Sequence, residues 1–159
     1  MQQNLGVVPN FIRALANFPA ALDSFLGLFK LAHDGDLEPL TRERIALAVA
    51  EQNSCQYCVS AHTALGRKAG LDNAEMDANR SGSSADPKAA AALAFANALV
   101  EHTGEVTQAE FDAVRDAGHS DAEIVEIIAH VALNTFTNIL GKATQIDIDF
   151  PEVQLRAAA

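Results

Sequence analysis

The sequence R-E-R-I-A-L-A-V-A-E-Q-N-S-C-Q-Y-C-V-S-A-H, residues 42–62, contains both cysteines of this 159-residue chain. Its first part, I-A-L-A-V-A from Ile45 to Ala50, is apolar on all sides, which is typical of a helix in the middle of an all-α domain. After an Asn-Ser break, the Ala- and Leu-rich stretch from Cys55 predicts a second helix that ends at Gly70. The stretch therefore predicts two consecutive helices, with the cysteines at the start of the second.

Helical geometry relates the cysteines to a nearby histidine. At about 100° per residue, Cys55 and Cys58 lie roughly 60° apart and can meet, and His62 lies about 40° from Cys58. Along the axis, His62 is about 6 Å from Cys58 but about 10 Å from Cys55. Only Cys58 is thus within direct or one-water reach of the imidazole. We expect Cys58 to be the more ionised thiol, and Cys55, nearer the helix start and the surface, to be the easier target for a reductant.

Two features of the sequence favour a reactive thiolate. Both cysteines are expected in the first turns of a helix, where backbone N–H groups stabilise anions, and His62 can take the proton. Glu43 is on the buried face of the preceding helix and is a candidate partner for the imidazole. Alternatively, Glu43 is a first-turn acid that pairs with Arg42 or Arg44, and Glu51 is the fallback carboxylate.

Other interpretations of the cysteines stay open at this point. A structural disulfide is a poor explanation, because so small a loop would stabilise the fold little. The pair could simply be small buried hydrophobes. Cys55, Cys58 and His62 could also bind zinc in a non-enzymatic module, although no second C-x-x-C supplies the usual further ligands.

The composition fits one globular domain, with 49% hydrophobic residues. The net charge of −10 repels phosphate backbones and anionic lipid surfaces, which argues against nucleic acid and membranes as partners. The N-terminal residues show no leader pattern, and we expect no apolar run of membrane-spanning length. We therefore expect a cytoplasmic protein, in which a C-x-x-C is more often catalytic or metal-binding than structural.

The residues before the cysteine stretch predict an N-terminal helical layer over 1–38. Two short helices are expected at Pro9–Asn17 and from Pro19 to about Ala32, each with proline in its opening positions. Thr41 is the expected N-cap of the helix that opens the 41–70 core.

The residues after Gly70 predict further helices and no strand. Asp72 and Glu75 have the spacing of a capping box for a short helix, and a loop is expected over 79–87. Three helices are then predicted within 87–141, starting at Pro87, Thr107 and Ser120, the last of them running from Asp121 to about Leu140. The predicted fold is a single all-α domain, residues 1–159, with about seven helices.

Polar residues recur every four positions on the apolar last helix, at His130, Asn134 and Asn138. We interpret them as hydrogen-bonded groups in the core or in a subunit contact, with lining of a pocket beside the thiols as the alternative. The other three histidines, His33, His102 and His119, are expected to be solvated.

The pattern E-x(11)-C-x-x-C-x-x-x-H is formed by Glu43, Cys55, Cys58 and His62. This pattern, with the sequence around it from Thr41 to about Gly70, resembles the alkylhydroperoxidase D (AhpD)-like, peroxidase-related branch of the carboxymuconolactone decarboxylase superfamily. The closing stretch N-I-L-G-K-A-T-Q-I-D-I-D-F-P is also similar. The resemblance implies an AhpD-like helical bundle that works without a prosthetic group.

The resemblance also implies roles for the site residues. A Glu43–His62 proton relay would ionise Cys58, which attacks a hydroperoxide or disulfide substrate. Cys55 would then form a redox disulfide with Cys58, to be reduced by a dithiol or redox protein. AhpD has a histidine before the second cysteine, whereas this chain has Tyr57, so any relay role there is lost or altered. Tyr57, His130 and Asn134 are candidate pocket residues. The family and the apolar helix faces together imply a homo-oligomer, a trimer or hexamer.

Overall fold

The regular structure of the described residues is entirely helical. The computed structural model describes residues 8–156, apart from the side chains of residues 31–33. Within this range there are eight helices: α1 (Asn10–Leu15), α2 (Pro19–His33), α3 (Pro39–Gln52), α4 (Gln56–Ala69), α5 (Asn73–Arg80), α6 (Pro87–Glu101), α7 (Gln108–Asp116) and α8 (Asp121–Ala143). The all-α prediction is confirmed, with eight helices where about seven were expected.

Helix α3 is the centre of the domain, as its apolar body predicts. Residues 45–50 are all at most 2% exposed. The helix packs against α4, α5, α6 and α8, so each side of it meets another helix. This position fixes α4, and with it the cysteines, against the middle of the core.

The start of α3 differs from the prediction. The helix begins at Pro39, two residues before the expected N-cap, and Glu38 precedes it without a capping side-chain hydrogen bond. Proline is favoured at the first helical position because its fixed φ suits the helix and its missing N–H is not needed there. Thr41 is therefore a buried first-turn residue and not the N-cap.

The capping boxes predicted before α7 and α8 are both present, at Thr107 with Glu110 and at Ser120 with Glu123. Only half of the expected box forms at Asp72. Its side chain accepts from the Glu75 backbone N–H at 2.8 Å, but the Glu75 carboxylate turns to other partners, among them Arg44 at 2.9 Å.

Helix α8 is 23 residues long and has a window of mean hydropathy 1.4, so by length and composition alone it could cross a membrane. The sequence-based expectation of no such run is thus not met. The helix packs against α3 and α6 and buries Ile124, Ile127 and Val131 in the core. This packing accounts for part of the apolar composition of α8, because 44% of the apolar window is buried inside the domain.

The segment after α8, residues 145–156, has no regular structure and runs across α4; we call it the C-terminal tail. The Val153 N–H donates to Ser60 Oγ at 3.0 Å. The Arg156 N–H donates to the Glu51 carboxylate at 2.7 Å. The tail is therefore fastened to α4, which carries the cysteines, and to the end of α3, which precedes them.

Candidate functional site

The two cysteines are joined at the N-terminus of α4. Cys55 and Cys58 form a disulfide, with their Cα atoms 5.3 Å apart. Cys55 is the N-cap residue, one position before the helix, and its sulfur accepts a hydrogen bond from the Cys58 N–H at 3.4 Å. The helix ends at Gly70 in a left-handed conformation with φ of 115°, as the sequence predicts.

The prediction that Cys55 is the more exposed cysteine is wrong. Cys55 is 1% exposed and Cys58 is 4% exposed. Ile146, Ile148 and Phe150 of the C-terminal tail pack on the cluster that contains Cys55. Helix α8 also approaches closely, because a β-carbon at Gly141 would lie only 3.4 Å from the Cys55 sulfur. These contacts cover Cys55 from the side that an isolated helix would leave open.

A cavity of about 420 Å³ opens beside the second cysteine. Cys58 lines it, whereas Cys55 does not. Its walls come from five helices and the tail, and most of the lining side chains are apolar: Pro9, Phe11, Ile12, Phe25, Phe29, Ala46, Ala61, Leu65, Leu133 and Phe150. A cavity of this size and character is typical of a small-molecule site.

The expected partner of His62 is in place. His62 Nδ1 lies 2.9 Å from Glu43 Oε2, and both residues line the cavity. Both side chains are partly buried, 22% exposed for His62 and 18% for Glu43. An ionised Glu43 requires the proton on Nδ1, which leaves Nε2 as the ring nitrogen able to accept a proton. The pair therefore presents an oriented base to the cavity that Cys58 also lines.

The alternative partners of Glu43 are engaged elsewhere. Arg42 lies 3.3 Å from Glu126, and Arg44 lies 2.9 Å from Glu75. The fallback carboxylate, Glu51, lies 2.6 Å from Arg80 and does not line the cavity.

Tyr57 is a fixed part of the cavity wall. Its hydroxyl donates to Asp149 Oδ1 at 2.9 Å, and the Phe11 N–H donates to it at 3.4 Å. Burial raises the pKa of the Tyr57 phenol, and the hydrogen bond to Asp149 raises it further. Tyr57 therefore stays protonated and connects α1, α4 and the tail at the position where AhpD has a histidine.

The polar stripe of α8 divides between two environments. His130 and Asn134 are buried and line the cavity, so the interpretation that they line a pocket beside the thiols fits these two residues. Asn138 instead accepts a hydrogen bond from Asn53 at 2.9 Å.

The expectation that His119 is solvated is wrong. His119 is 5% exposed, and its Nε2 lies 2.9 Å from the Lys88 carbonyl oxygen between α6 and α8. His102 is exposed, as expected, and the side chain of His33 lies outside the described residues.

Among residues 8–156, no group of three or more His, Cys, Asp or Glu side chains has the arrangement needed to hold a metal ion. The zinc alternative requires Cys55, Cys58 and His62 as ligands. In the structure the two cysteines are joined in the disulfide, and His62 contacts Glu43.

Comparison with known proteins places this dithiol site in a family. The carboxymuconolactone decarboxylase family model matches residues 17–101, more than half of the chain. The chain belongs to the carboxymuconolactone decarboxylase family. A curated relative, "Uncharacterized protein 4 in cox locus" of Paracoccus denitrificans, is 34% identical over 85 residues, which cover 53% of this chain and 76% of that protein.

Solved structures define the branch of the carboxymuconolactone decarboxylase family. A peroxidase-related protein from Silicibacter sp. TM1040 is 28% identical with a TM-score of 0.83, over 92% of this chain and 79% of its own. A second, described as an alkylhydroperoxidase AhpD core, from Ralstonia eutropha JMP134, has the same identity and TM-score over 94% and 80%. The debrominase Bmp8, solved with 2,3,4-tribromopyrrole, is 25% identical with a TM-score of 0.81 over 94% and 81%. The chain is in the AhpD-like branch.

The cavity depends on residues that the sequence analysis of this family member missed. Phe11 of α1 and Phe25 of α2 pack edge to face with ring centroids 5.0 Å apart, and Phe29 lies 5.7 Å from Phe25. The helical spacing of Phe25 and Phe29 indicates an inward helix face but not a cavity. Gly141, against both sulfurs, lies 86 positions after Cys55 and shows no local pattern that links it to them.

Proposed function

We propose that this protein is a dithiol-dependent peroxidase that reduces organic hydroperoxides through Cys58 and Cys55. The observation that carries the proposal is that Cys58, disulfide-bonded to Cys55, lines the same apolar cavity as the Glu43–His62 pair. The membership of the AhpD-like branch and the peroxidase-related structural neighbours support a peroxidase-related role.

In the oxidative half-reaction, His62 takes the proton of the Cys58 thiol. The thiolate attacks one peroxide oxygen, the O–O bond breaks, and the leaving alkoxide takes a proton to become an alcohol. Cys58 is then a sulfenic acid. The Cys55 thiol attacks its sulfur, the disulfide forms, and the sulfenic oxygen leaves as water. One hydroperoxide and two thiols thus give one alcohol, one water and one disulfide.

In the reductive half-reaction, an external dithiol restores the two thiols. Because Cys58 lines the cavity and Cys55 is covered, the incoming thiolate attacks Cys58 and Cys55 leaves. The second thiol of the donor then attacks the mixed disulfide and releases Cys58. On an isolated helix, the reductant would be expected to attack Cys55 first, so the proposed order of attack is the reverse.

The test is turnover of cumene hydroperoxide with dithiothreitol and with protein dithiol donors. We expect turnover by the wild-type protein, none by Cys58→Ser, and a single oxidation without turnover by Cys55→Ser. His62→Ala should slow the reaction, whereas His102→Ala, which changes an exposed imidazole, should not. Full turnover by Cys58→Ser, or none by the wild type with any donor, would refute the proposal.

A second candidate activity is reductive dehalogenation, favoured by the similarity to the debrominase solved with 2,3,4-tribromopyrrole. An aromatic bromide and two thiols would give the debrominated ring, one disulfide and hydrogen bromide. The aromatic side chains of the cavity suit a flat ring. Bromide release from tribromopyrrole, compared with peroxide consumption by the same preparation, separates the two activities.

We also propose that the protein is a cytoplasmic homo-oligomer with no nucleic-acid or membrane partner. A reducing cytosol suits a site that must regain two free thiols. The net charge of −10 opposes binding to nucleic acid and to anionic lipid. An exposed apolar stripe on α8, formed by Val125, Ile128, Phe136 and Ile139, suits burial against another copy.

A further inference from the structure

The C-terminal tail lies against the cysteine cluster as an extended segment with two different faces. Its inward side chains are partly buried and pack on that cluster: Ile146, Ile148 and Phe150. Asp147 and Asp149 alternate with them along the chain and are exposed. This alternation is typical of an extended segment that buries one face. The tail therefore presents an apolar surface to the disulfide and a polar surface to the solvent.

Access decides which sulfur of a disulfide an external thiol attacks. The attacking, attacked and leaving sulfurs align, so an attack on Cys55 must come from the side away from Cys58. Cys55 is 1% exposed beneath the tail, and a β-carbon at Gly141 would lie 3.4 Å from its sulfur. Cys58, unlike Cys55, lines the cavity, which gives a thiol space to approach. The packing therefore favours attack on Cys58 for as long as the tail stays docked.

Tyr57 anchors the tail from a position between the two cysteines. Its hydroxyl donates to Asp149 Oδ1 at 2.9 Å and accepts from the Phe11 N–H at 3.4 Å. The second carboxylate oxygen of Asp149 accepts from the Asn10 N–H at 2.7 Å. One phenol and one carboxylate thus connect α4 with the tail and with α1.

The Tyr57–Asp149 hydrogen bond is placed where it can control the cover of Cys55. Asp149 lies between Ile148 and Phe150, two of the side chains that pack on the cysteine cluster. The bond is also partly buried, whereas the hydrogen bond from Gln56 to Glu152, farther along the tail, is exposed to competing water. Loss of the Tyr57–Asp149 bond should therefore loosen the part of the tail that covers Cys55.

We propose that Tyr57 is a positioning residue that holds the tail over Cys55 through Asp149 and thereby directs an external thiol to Cys58. The inference rests on the proposed dithiol chemistry and adds to it the residue that selects the attacked sulfur. In the step itself, the external thiolate bonds to the Cys58 sulfur and the bond between the two cysteines breaks. Cys55 leaves as a thiolate and takes up a proton.

The first test measures how firmly the tail is docked, without any peroxide. Hydrogen exchange of the Val153 amide reports docking, because this N–H donates to Ser60 Oγ. We expect Tyr57→Phe and Asp149→Ala to speed this exchange about threefold to tenfold, the range expected for loss of one hydrogen bond. Asp147→Ala is the matched control, since Asp147 is exposed and holds α1 through its carbonyl oxygen, which the substitution keeps. It should exchange like the wild type.

The second test identifies the sulfur that is attacked. The protein is oxidised with diamide, exposed briefly to glutathione and quenched with acid, and fragmentation mass spectrometry then locates the glutathione. We expect it on Cys58 in the wild type, with Cys55 as the free thiol. In Tyr57→Phe and Asp149→Ala the fraction on Cys55 should rise several-fold, whereas in Asp147→Ala it should not change.

The Tyr57→Phe variant keeps the ring that packs edge to face on Phe150, with centroids 5.8 Å apart, so the fold should be retained. Glutathione on Cys55 in the wild type, or unchanged Val153 exchange in both variants, would overturn the inference. Faster exchange without a change of the attacked sulfur would overturn it as well. Attack on Cys58 that depends on Tyr57, in a protein without peroxide turnover, would uphold the inference while refuting the peroxidase.

Discussion

His62 Nδ1 lies 2.9 Å from Glu43 Oε2, and this contact joins α4 to the first turns of α3. It ties the base beside Cys58 to the most buried helix of the domain. The orientation of the imidazole is thus set by the core, while its other nitrogen remains available for proton transfer.

This contact predicts the pH dependence of thiol reactivity. In a Cys55→Ser background, where Cys58 reports alone, Glu43→Gln and His62→Ala should each move the midpoint of the iodoacetamide alkylation rate to higher pH. A movement of one pH unit corresponds to about 1.4 kcal/mol of lost thiolate stabilisation. Glu105→Gln, which changes an exposed carboxylate, is the control. If neither variant moves the midpoint, the pair does not activate Cys58.

The close approach of α8 to the disulfide predicts a size limit at residue 141. A β-carbon there would meet the Cys55 sulfur at 3.4 Å, which is ordinary contact, so Gly141→Ala should be tolerated. Gly141→Val adds two further carbons and should cost about 1–3 kcal/mol in unfolding free energy. Gly27→Val is the matched control, because a β-carbon at that helical glycine meets nothing within 4 Å. Denaturant unfolding measures both, and equal losses would show that only helix propensity matters.

Glu75 predicts acid sensitivity of the fold. Burial alone would raise the pKa of Glu75, but hydrogen bonds from Ser84, Asn79, the Ala85 N–H and Arg44 outweigh it and lower the pKa to about 2. A lowered folded-state pKa stabilises the fold above the unfolded-state value of 4.5, and this stability is lost as pH falls from there towards 2.

Replacement of this carboxylate should therefore flatten the acid limb of the stability curve. We expect Glu75→Gln to lower the unfolding free energy at pH 7 by on the order of 1–3 kcal/mol and to reduce its decline in acid. Urea unfolding across pH measures this, with Glu105→Gln as the exposed control. An unchanged acid limb in Glu75→Gln would contradict it.

The apolar stripe of α8 predicts self-association. Val125 is 65% exposed and Ile139 is 62% exposed, which is unusual for large aliphatic residues of a core helix. Light scattering should give a trimer or hexamer for the wild type and a smaller species for Val125→Asp and Ile139→Asp. Thr144→Asp, which adds the same charge at an exposed polar position, should not change the mass. A monomeric wild type across micromolar concentrations would refute the prediction.

The sequence predicted the structural features that depend on residues close together along the chain. The buried body of α3, the glycine that ends α4 and the capping boxes of α7 and α8 all follow from patterns within a few residues. The contact between Glu43 and His62 was also predicted, from the inward-facing position of Glu43 together with the resemblance to the AhpD-like branch.

Features that depend on packing between distant segments were not predicted. The burial of Cys55 depends on the tail and on Gly141, and neither is close to it in sequence. His119 is buried because α6 and α8 meet around it, although its position after a helix end indicated exposure. The prediction for Thr41 failed for a different reason, since Pro39 is the stronger start of a helix.

The covering of the cysteines by the C-terminal tail has a consequence for biosynthesis. A ribosome makes the tail after all the helices described above, so the two thiols leave the exit tunnel long before the segment that will cover Cys55. Until the Val153 N–H bonds to Ser60 Oγ, the tail does not cover the sulfurs of the nascent chain. During that interval the redox state of the surrounding solution, and not the protein itself, decides whether Cys55 reacts with the wrong thiol.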